Sequence, residues 1–222
     1  MSQSQIFNAT KHKQLERKIV TLLNAQPDFL SSRTASSPRA VGDAIQTILA
    51  ENFQTLLGNL AGKYSAKFAR RSMADLAFTD EDDFYIVVDV KTHRLDTSFN
   101  MPNLTSVERL ARLYEDDQNY FAVLMIQYAI QDTQVDVRHA HFIPIEFLAW
   151  NCLTIGALGW GQIQIANANI VNINEGYSRK KWMLELCDVM LEFYPKEIGK
   201  IGGRIDYFKQ VKDRWESKPD NL

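Results

Sequence analysis

From residue 38 to residue 57 apolar side chains return every three or four positions, and Val41, Ala44, Ile45, Ile48, Leu49, Phe53, Leu56 and Leu57 fall on one face of a helix. Ser37-Pro38 announces its start, an N-cap followed by proline at the first helical position. Gly58 stops it. An earlier helix is predicted from about Lys11 to Asn24, with Leu15, Ile19, Leu22 and Leu23 as a narrow apolar stripe. Between the two, residues 31 to 39 are small and polar and are expected to form a mobile loop.

The period then shortens. Residues 74 to 79 and 84 to 91 are short runs rich in Val, Ile, Phe and Tyr on either side of Asp80-Glu81-Asp82-Asp83, the pattern of a β-hairpin. Both alternating faces of Phe84-Tyr85-Ile86-Val87-Val88 are apolar, so the second strand is expected to be central and covered on both sides. Thr105-Ser106-Val107-Glu108 has the form of a capping box opening a helix through about Tyr114. Strands near 120 to 130, 134 to 143 and Gln162 to Ala166 follow, and two amphipathic helices, about 178 to 194 and 202 to 215, close the chain. Helices flanking a central mixed β-sheet, an α/β class, is the predicted architecture.

A length of 222 residues, 45% of them hydrophobic and 23% charged, suits one domain spanning 1 to 222. With only Cys152 and Cys187, far apart, and no apolar N-terminal run, neither a disulfide framework nor a signal peptide is expected. No apolar stretch approaches a membrane span, so a cytoplasmic protein without membrane association is expected. The formal charge of −2 does not by itself suggest a nucleic-acid partner. Its distribution says more: Lys63, Lys67, Arg70 and Arg71 form a run without a carboxylate, and Arg179-Lys180-Lys181 a second. Either run also fits a solvated surface.

The chemistry concentrates at Asp89-Val90-Lys91. Side chains two apart on a strand point the same way, so one carboxylate and one ammonium project together. If the hairpin turns near Glu81-Asp82, the residue opposite Asp89 is Asp75. Asp82 and Asp83 lie roughly 20 Å away at about 3.3 Å per residue and cannot share an ion with Asp89. Two carboxylates across a strand pair with a lysine beside them make a hard oxygen site for Mg²⁺, suited to phosphodiester hydrolysis. The triplet alone also fits a strand-end ion pair.

With the flanks included, the pattern becomes more specific. Ala74-Asp75-Leu76, Phe84-Tyr85, Asp89-Val90-Lys91-Thr92, Phe99, Pro102-Asn103-Leu104 and Ser106 resemble type II restriction endonucleases of the PD-(D/E)xK superfamily, EcoRV-like group, most closely the HincII-like enzymes. Gln162-Ile163-Gln164 and Glu175-Gly176-Tyr177 before Trp182 extend the resemblance over roughly residues 38 to 215. It implies a restriction-endonuclease-like fold and a homodimer that cuts both strands of a short palindromic site in double-stranded DNA using Mg²⁺. Asp75, Asp89 and Lys91 match the family's two catalytic acids and lysine, with Asp75 and Asp89 as metal ligands. A cognate DNA methyltransferase is then expected in the same host, without direct contact. Gly42-Asp43-Ala44-Ile45-Gln46 looks like the family's Gly-Glu-x-x-Glu, but its second acid is Gln46. Asp43 and Glu51 are therefore the candidates for an accessory acid, and Asp43 also suits a helix start electrostatically.

Base edges in the major groove are read by side chains such as Asn, Gln, Arg and Lys. Asn103 is expected near DNA. Asn167, Asn169, Asn172 and Asn174 precede the basic residues Arg179, Lys180 and Lys181, so base contacts could lie beside phosphate contacts; a polar loop satisfying its own turns is the alternative. His93 is expected at phosphate or solvent, His139 and His141 in structural roles, and Trp150, Trp160, Trp182 and Trp215 in the core or in helix packing. The dimer surface is expected to draw partly on the stripe of the first helix. A repair or recombination nuclease on the same fold and a non-catalytic DNA-binding module are the competing functions.

Overall fold

The computed structural model describes residues 3–8, 11–26, 37–64, 75–97 and 101–219. The expected loop falls outside them as far as residue 36, as do Lys67, Arg70, Arg71, Ala74 and Phe99. The chain divides into two compact units, Met1–Gly176 and Tyr177–Leu222.

The first unit is built on a five-stranded sheet of β1 (Ala61–Tyr64), β2 (Leu76–Asp80), β3 (Tyr85–Arg94), β5 (Asn119–Gln131) and β6 (Gln134–Pro144). They lie in the order β1-β2-β3-β5-β6. Only β3 and β5 run parallel, which makes the sheet mixed. Parallel neighbours require a crossover, and it carries β4 (Asn103–Ser106) and α4 (Val107–Leu113). With β7 (Leu153–Gly156) and β8 (Gln162–Ile165), β4 forms a second sheet in the order β4-β8-β7. The expected central strand is β3, third of five, and Ile86, Val87, Val88 and Val90 are buried.

Helices α1 (Gln5–Asn8), α2 (Lys11–Asn24) and α3 (Pro38–Leu57) precede these strands. Ser37 caps α3 by accepting from Ala40 N at 3.3 Å, and Gly58, at φ 52°, ends it in a conformation that other residues adopt only with strain. Val41, Ile45, Leu49 and Phe53 are fully buried. Helix α2 lies against β6. Asn24 accepts from Val137 N at 2.8 Å and donates to Val137 O at 3.0 Å, where the β5–β6 register slips. Glu16 Oε1 accepts from Phe142 N at 2.8 Å. The stripe expected to build a dimer surface is instead internal, since Leu15, Ile19 and Leu23 are buried in this core.

Three further expectations are corrected. The capping box does not form: Ser106, not Thr105, stands at the N-cap of α4 without a side-chain bond, and Glu108 turns to Arg112 at 2.9 Å. The two closing helices are one helix of 38 residues, α5 (Arg179–Glu216), which continues through Pro195. Of the tryptophans expected inside, Trp182 is buried but Trp160 and Trp215 are exposed.

In the second unit Ser178 caps α5, its hydroxyl accepting from Lys181 N at 3.3 Å. Trp182, Leu186 and Met190 are buried along it. From Ile198 to Gln210 every residue is exposed. Among the described residues no helix is long and apolar enough to cross a membrane.

Candidate active site

The hairpin of β2 and β3 pairs Leu76 with Val88, Ala77 with Val87 and Phe78 with Ile86. Continued by one residue, this register sets Asp75 opposite Asp89, and Asp75 N donates to Val88 O at 2.9 Å just beyond the end of β2. Asp75 is exposed, and its Oδ2 accepts from Val90 N at 2.7 Å, which ties the side chain to the neighbouring strand. Asp89 is buried. Lys91, two residues on and on the same face, donates from Nζ to Asp89 Oδ1 at 2.9 Å.

The other carboxylate oxygen, Asp89 Oδ2, is buried without a hydrogen-bond partner. Burial pushes the Asp89 carboxyl up to about 7; the charge and hydrogen bond of Lys91 oppose the rise, and the charge of Asp75 adds to it. An ionised carboxylate with one orphaned oxygen is costly inside a protein. A divalent cation meeting that oxygen would remove the cost. Among the described residues no three His, Cys, Asp or Glu side chains converge as a metal group. Mg²⁺ does not need three, because it is commonly held by one or two carboxylates and completes its shell with water and phosphate oxygens. Asp75 and Asp89 fit that demand.

Helix α3 borders β3 through Gly42 and Gln46. A Cβ on Gly42 would stand 2.8 Å from Thr92 Oγ1, and Gln46 Nε2 donates to Val90 O at 3.3 Å. The residue where the family pattern has its second acid thus holds the strand backbone between Asp89 and Lys91. Asp43 and Glu51 are both exposed. At 3.6 residues per turn Glu51 stands about half a turn around the helix from Gly42, so the structure does not bring it to the strand.

Beyond Lys91 the strand carries a contact that local sequence could not announce. His93 is buried rather than at solvent, and its Nε2 lies 2.7 Å from Asn169 Oδ1 across 76 residues of chain. Asn169 Nδ2 also reaches Thr97 O at 3.4 Å. Two of the other asparagines are engaged locally, Asn167 Oδ1 accepting from Asn169 N and Asn174 Oδ1 from Gly176 N, side-chain-to-backbone bonds with which a polar loop closes its own turns. Asn172 Nδ2 instead donates to Asn151 Oδ1, 21 residues away along the chain. Asn103, exposed on β4, accepts from Gln164 Nε2 at 2.5 Å. In the second unit Lys180 and Lys181 are exposed in the first turn of α5, with Lys181 Nζ 5.1 Å from the centre of the Tyr177 ring, and Arg179 is half-buried. His139 and His141 stack on β6 at 6.3 Å.

No protein-family model and no curated protein matches this chain.

Proposed function

We propose that this chain is a type II restriction endonuclease of the PD-(D/E)xK superfamily with a restriction-endonuclease-like fold, hydrolysing both strands of a short palindromic DNA site with Mg²⁺. The reading includes a cytoplasmic homodimer and a cognate methyltransferase that protects the host DNA. One observation carries it: Asp89 is buried with one oxygen on Lys91 and the other unpartnered, across the strand pair from Asp75.

Asp75 and Asp89 would hold the ion. Bound there, Mg²⁺ supplies Lewis-acid polarisation of the phosphodiester and lowers the pKa of water. Lys91 Nζ stands within hydrogen-bond reach of Asp89, where it can orient an attacking water or stabilise charge on the phosphate oxygens. Gln46, through Val90 O, and Asp75, through Val90 N, fix the strand between the two charged side chains. Arg179 and Lys180 offer charge to DNA phosphates, whose neutralisation makes binding weaken as salt rises.

The test is digestion of a plasmid of known sequence with Mg²⁺, followed by sequencing of the fragment ends. Discrete fragments whose ends share one palindrome support the reading, and the same ends give site and stagger. Cutting only at mismatches, branches or ends replaces it with a repair nuclease. Sequence-specific binding without cleavage in Mg²⁺ replaces it with a DNA-binding module.

A further inference from the structure

Helix α5 carries an apolar seam that its own chain leaves exposed. Counting from Leu184, apolar residues alternate at steps of three and four, the 3.5-residue period of a coiled coil. One set of positions is Leu184, Leu191, Ile198, Ile205 and, at its end, Lys212. The other is Cys187, Tyr194, Ile201, Phe208 and Trp215. Leu191 is 72% exposed, Ile198 69% and Phe208 66%. Leu184, Ile201, Ile205 and Trp215 are exposed as well. A helix exposed all round from Ile198 to Gln210 with three glycines nearby, Gly199, Gly202 and Gly203, has little intrinsic stability. An apolar stripe of this length on such a helix calls for a partner.

The charges beside the seam choose the partner and its direction. We infer that α5 pairs with α5 of a second copy of this chain as an antiparallel coiled coil centred between Gly199 and Lys200. In that register Ile198 meets Ile201 of the partner subunit, Leu191 meets the partner's Phe208, and Leu184 meets the partner's Trp215. Positions flanking an antiparallel seam face their own kind. Glu197 then faces Arg204 of the partner subunit, Asp188 the partner's Lys209, and Lys181 the partner's Glu216. All three are opposite in sign, and two-fold symmetry repeats each. A parallel pair instead sets Arg204 against the partner's Lys209, a like-charge contact, and leaves Glu197 beside a glycine. Lys209 now makes an exposed pair within the helix, with Asp206 at 3.0 Å, of the kind that contributes little and rearranges readily. Glu197, whose side chain is mostly covered, pairs with the exposed Lys200 at 2.6 Å, a contact that the partner's Arg204 must replace.

This pairing stands without the nuclease reading, and its test needs no DNA. Sedimentation of the full chain should give a dimer, twice 25.5 kDa. Ile201→Asp/Ile205→Asp should give a monomer with the β-sheet signature of the first unit retained in circular dichroism. Arg204→Glu should weaken the dimer at least tenfold, and Glu197→Arg/Arg204→Glu should restore it, since the swap rebuilds the same contacts with signs reversed. Direction is read by oxidation. Antiparallel pairing sets Cys187 against position 212 of the partner, so Lys212→Cys should form a disulfide-linked dimer. Wild type should not, because the two Cys187 residues would lie 25 positions apart along the axis, about 37 Å at 1.5 Å per residue. A monomeric wild type, a dimer indifferent to the Ile201/Ile205 double variant, or rapid Cys187 crosslinking of wild type would each overturn the inference. Failure to cut DNA would not touch it.

Discussion

Asp80 and Asp89 sit at opposite ends of one hairpin, both buried, and they are treated in opposite ways. At the turn, Asp80 Oδ2 accepts from Ser4 Oγ at 2.6 Å, while its Oδ1 accepts from Asp82 N and Phe84 N, each at 2.9 Å. Both oxygens are in use. At the open end, Asp89 has Lys91 on one oxygen and nothing on the other. Burial alone therefore does not distinguish a structural carboxylate from a chemical one. What differs is what remains unsatisfied: both oxygens of Asp80 are bonded and one oxygen of Asp89 is not, and an orphaned buried oxygen calls for an explanation such as a water, an ion or a chemical role.

The comparison breaks most sharply on activity. Asp89→Asn keeps side-chain size and removes the charge that would hold Mg²⁺, so plasmid cleavage should fall by several orders of magnitude with the fold intact. Asp80→Ala should leave the specific activity of the folded protein nearly unchanged. Near-normal cutting by Asp89→Asn, measured under single-turnover conditions, would remove Asp89 from the chemistry.

Next in size is pH. The Asp89 carboxyl rises from 3.8 to about 7 in the fold, so between those values the folded state holds a proton that the unfolded chain has released. A raised acid contributes its full stability below 3.8 and loses it as pH climbs through 7. At about 1.4 kcal/mol for each pH unit across that window, the loss is on the order of 4 kcal/mol as an upper figure. Metal-free protein should therefore be measurably less stable in denaturant at pH 8 than at pH 5, and Mg²⁺ should recover stability at pH 8 but not at pH 5. A metal-free midpoint flat across that range, with no response to Mg²⁺, would count against a vacant oxygen poised for a cation.

At the turn the expected effect is on folding. Asp80→Ala strands the Phe84 N–H and the Ser4 hydroxyl in a buried place and should cost about 1–3 kcal/mol in equilibrium unfolding, the usual penalty for an unmade buried hydrogen bond. Asp89→Ala should cost less than this, or even stabilise metal-free protein at high pH. If both substitutions destabilised equally, the two ends of the hairpin would not differ in the way their bonding suggests.

What the sequence disclosed follows the same division. Register can be counted from a turn, so Asp75 opposite Asp89 followed from the acidic turn alone, and the caps of α3 are single local bonds. The tie from His93 to Asn169, the bond from Asn172 to Asn151 and the role of Gln46 depend on segments that meet only after folding, and no spacing announces them. The continuous helix through Pro195 was hidden because proline and three nearby glycines read as a break. The capping box was hidden for the opposite reason: its residues were present, but Thr105 belongs to β4, paired with Ile163, and a strand partner outweighs a helix cap. Short strands such as β4 and β7, four residues each, carry too few positions to show a period.

The smallest effect asks how firmly the open end is held. Gly42 has no need of glycine for its backbone angle, and as a helical residue it would gain about 1 kcal/mol on becoming alanine. Against that, the new Cβ would stand 2.8 Å from Thr92 Oγ1, well inside contact distance, and overpacking of this kind costs about 1–3 kcal/mol. The two nearly cancel, so Gly42→Ala should move the melting temperature by only a few degrees. Thr92 follows Lys91 directly, however, and a β-branched side chain has few other rotamers to take. The strain should pass into the strand and displace Lys91 relative to Asp89, lowering the single-turnover cleavage rate severalfold while DNA affinity holds. Gly42→Ala/Thr92→Ala removes the clash and should restore the rate, which a loss of general stability would not allow. A single variant that is more stable and cuts at the normal rate would mean that Thr92 simply turns its hydroxyl away, and that α3 does not set the position of the lysine.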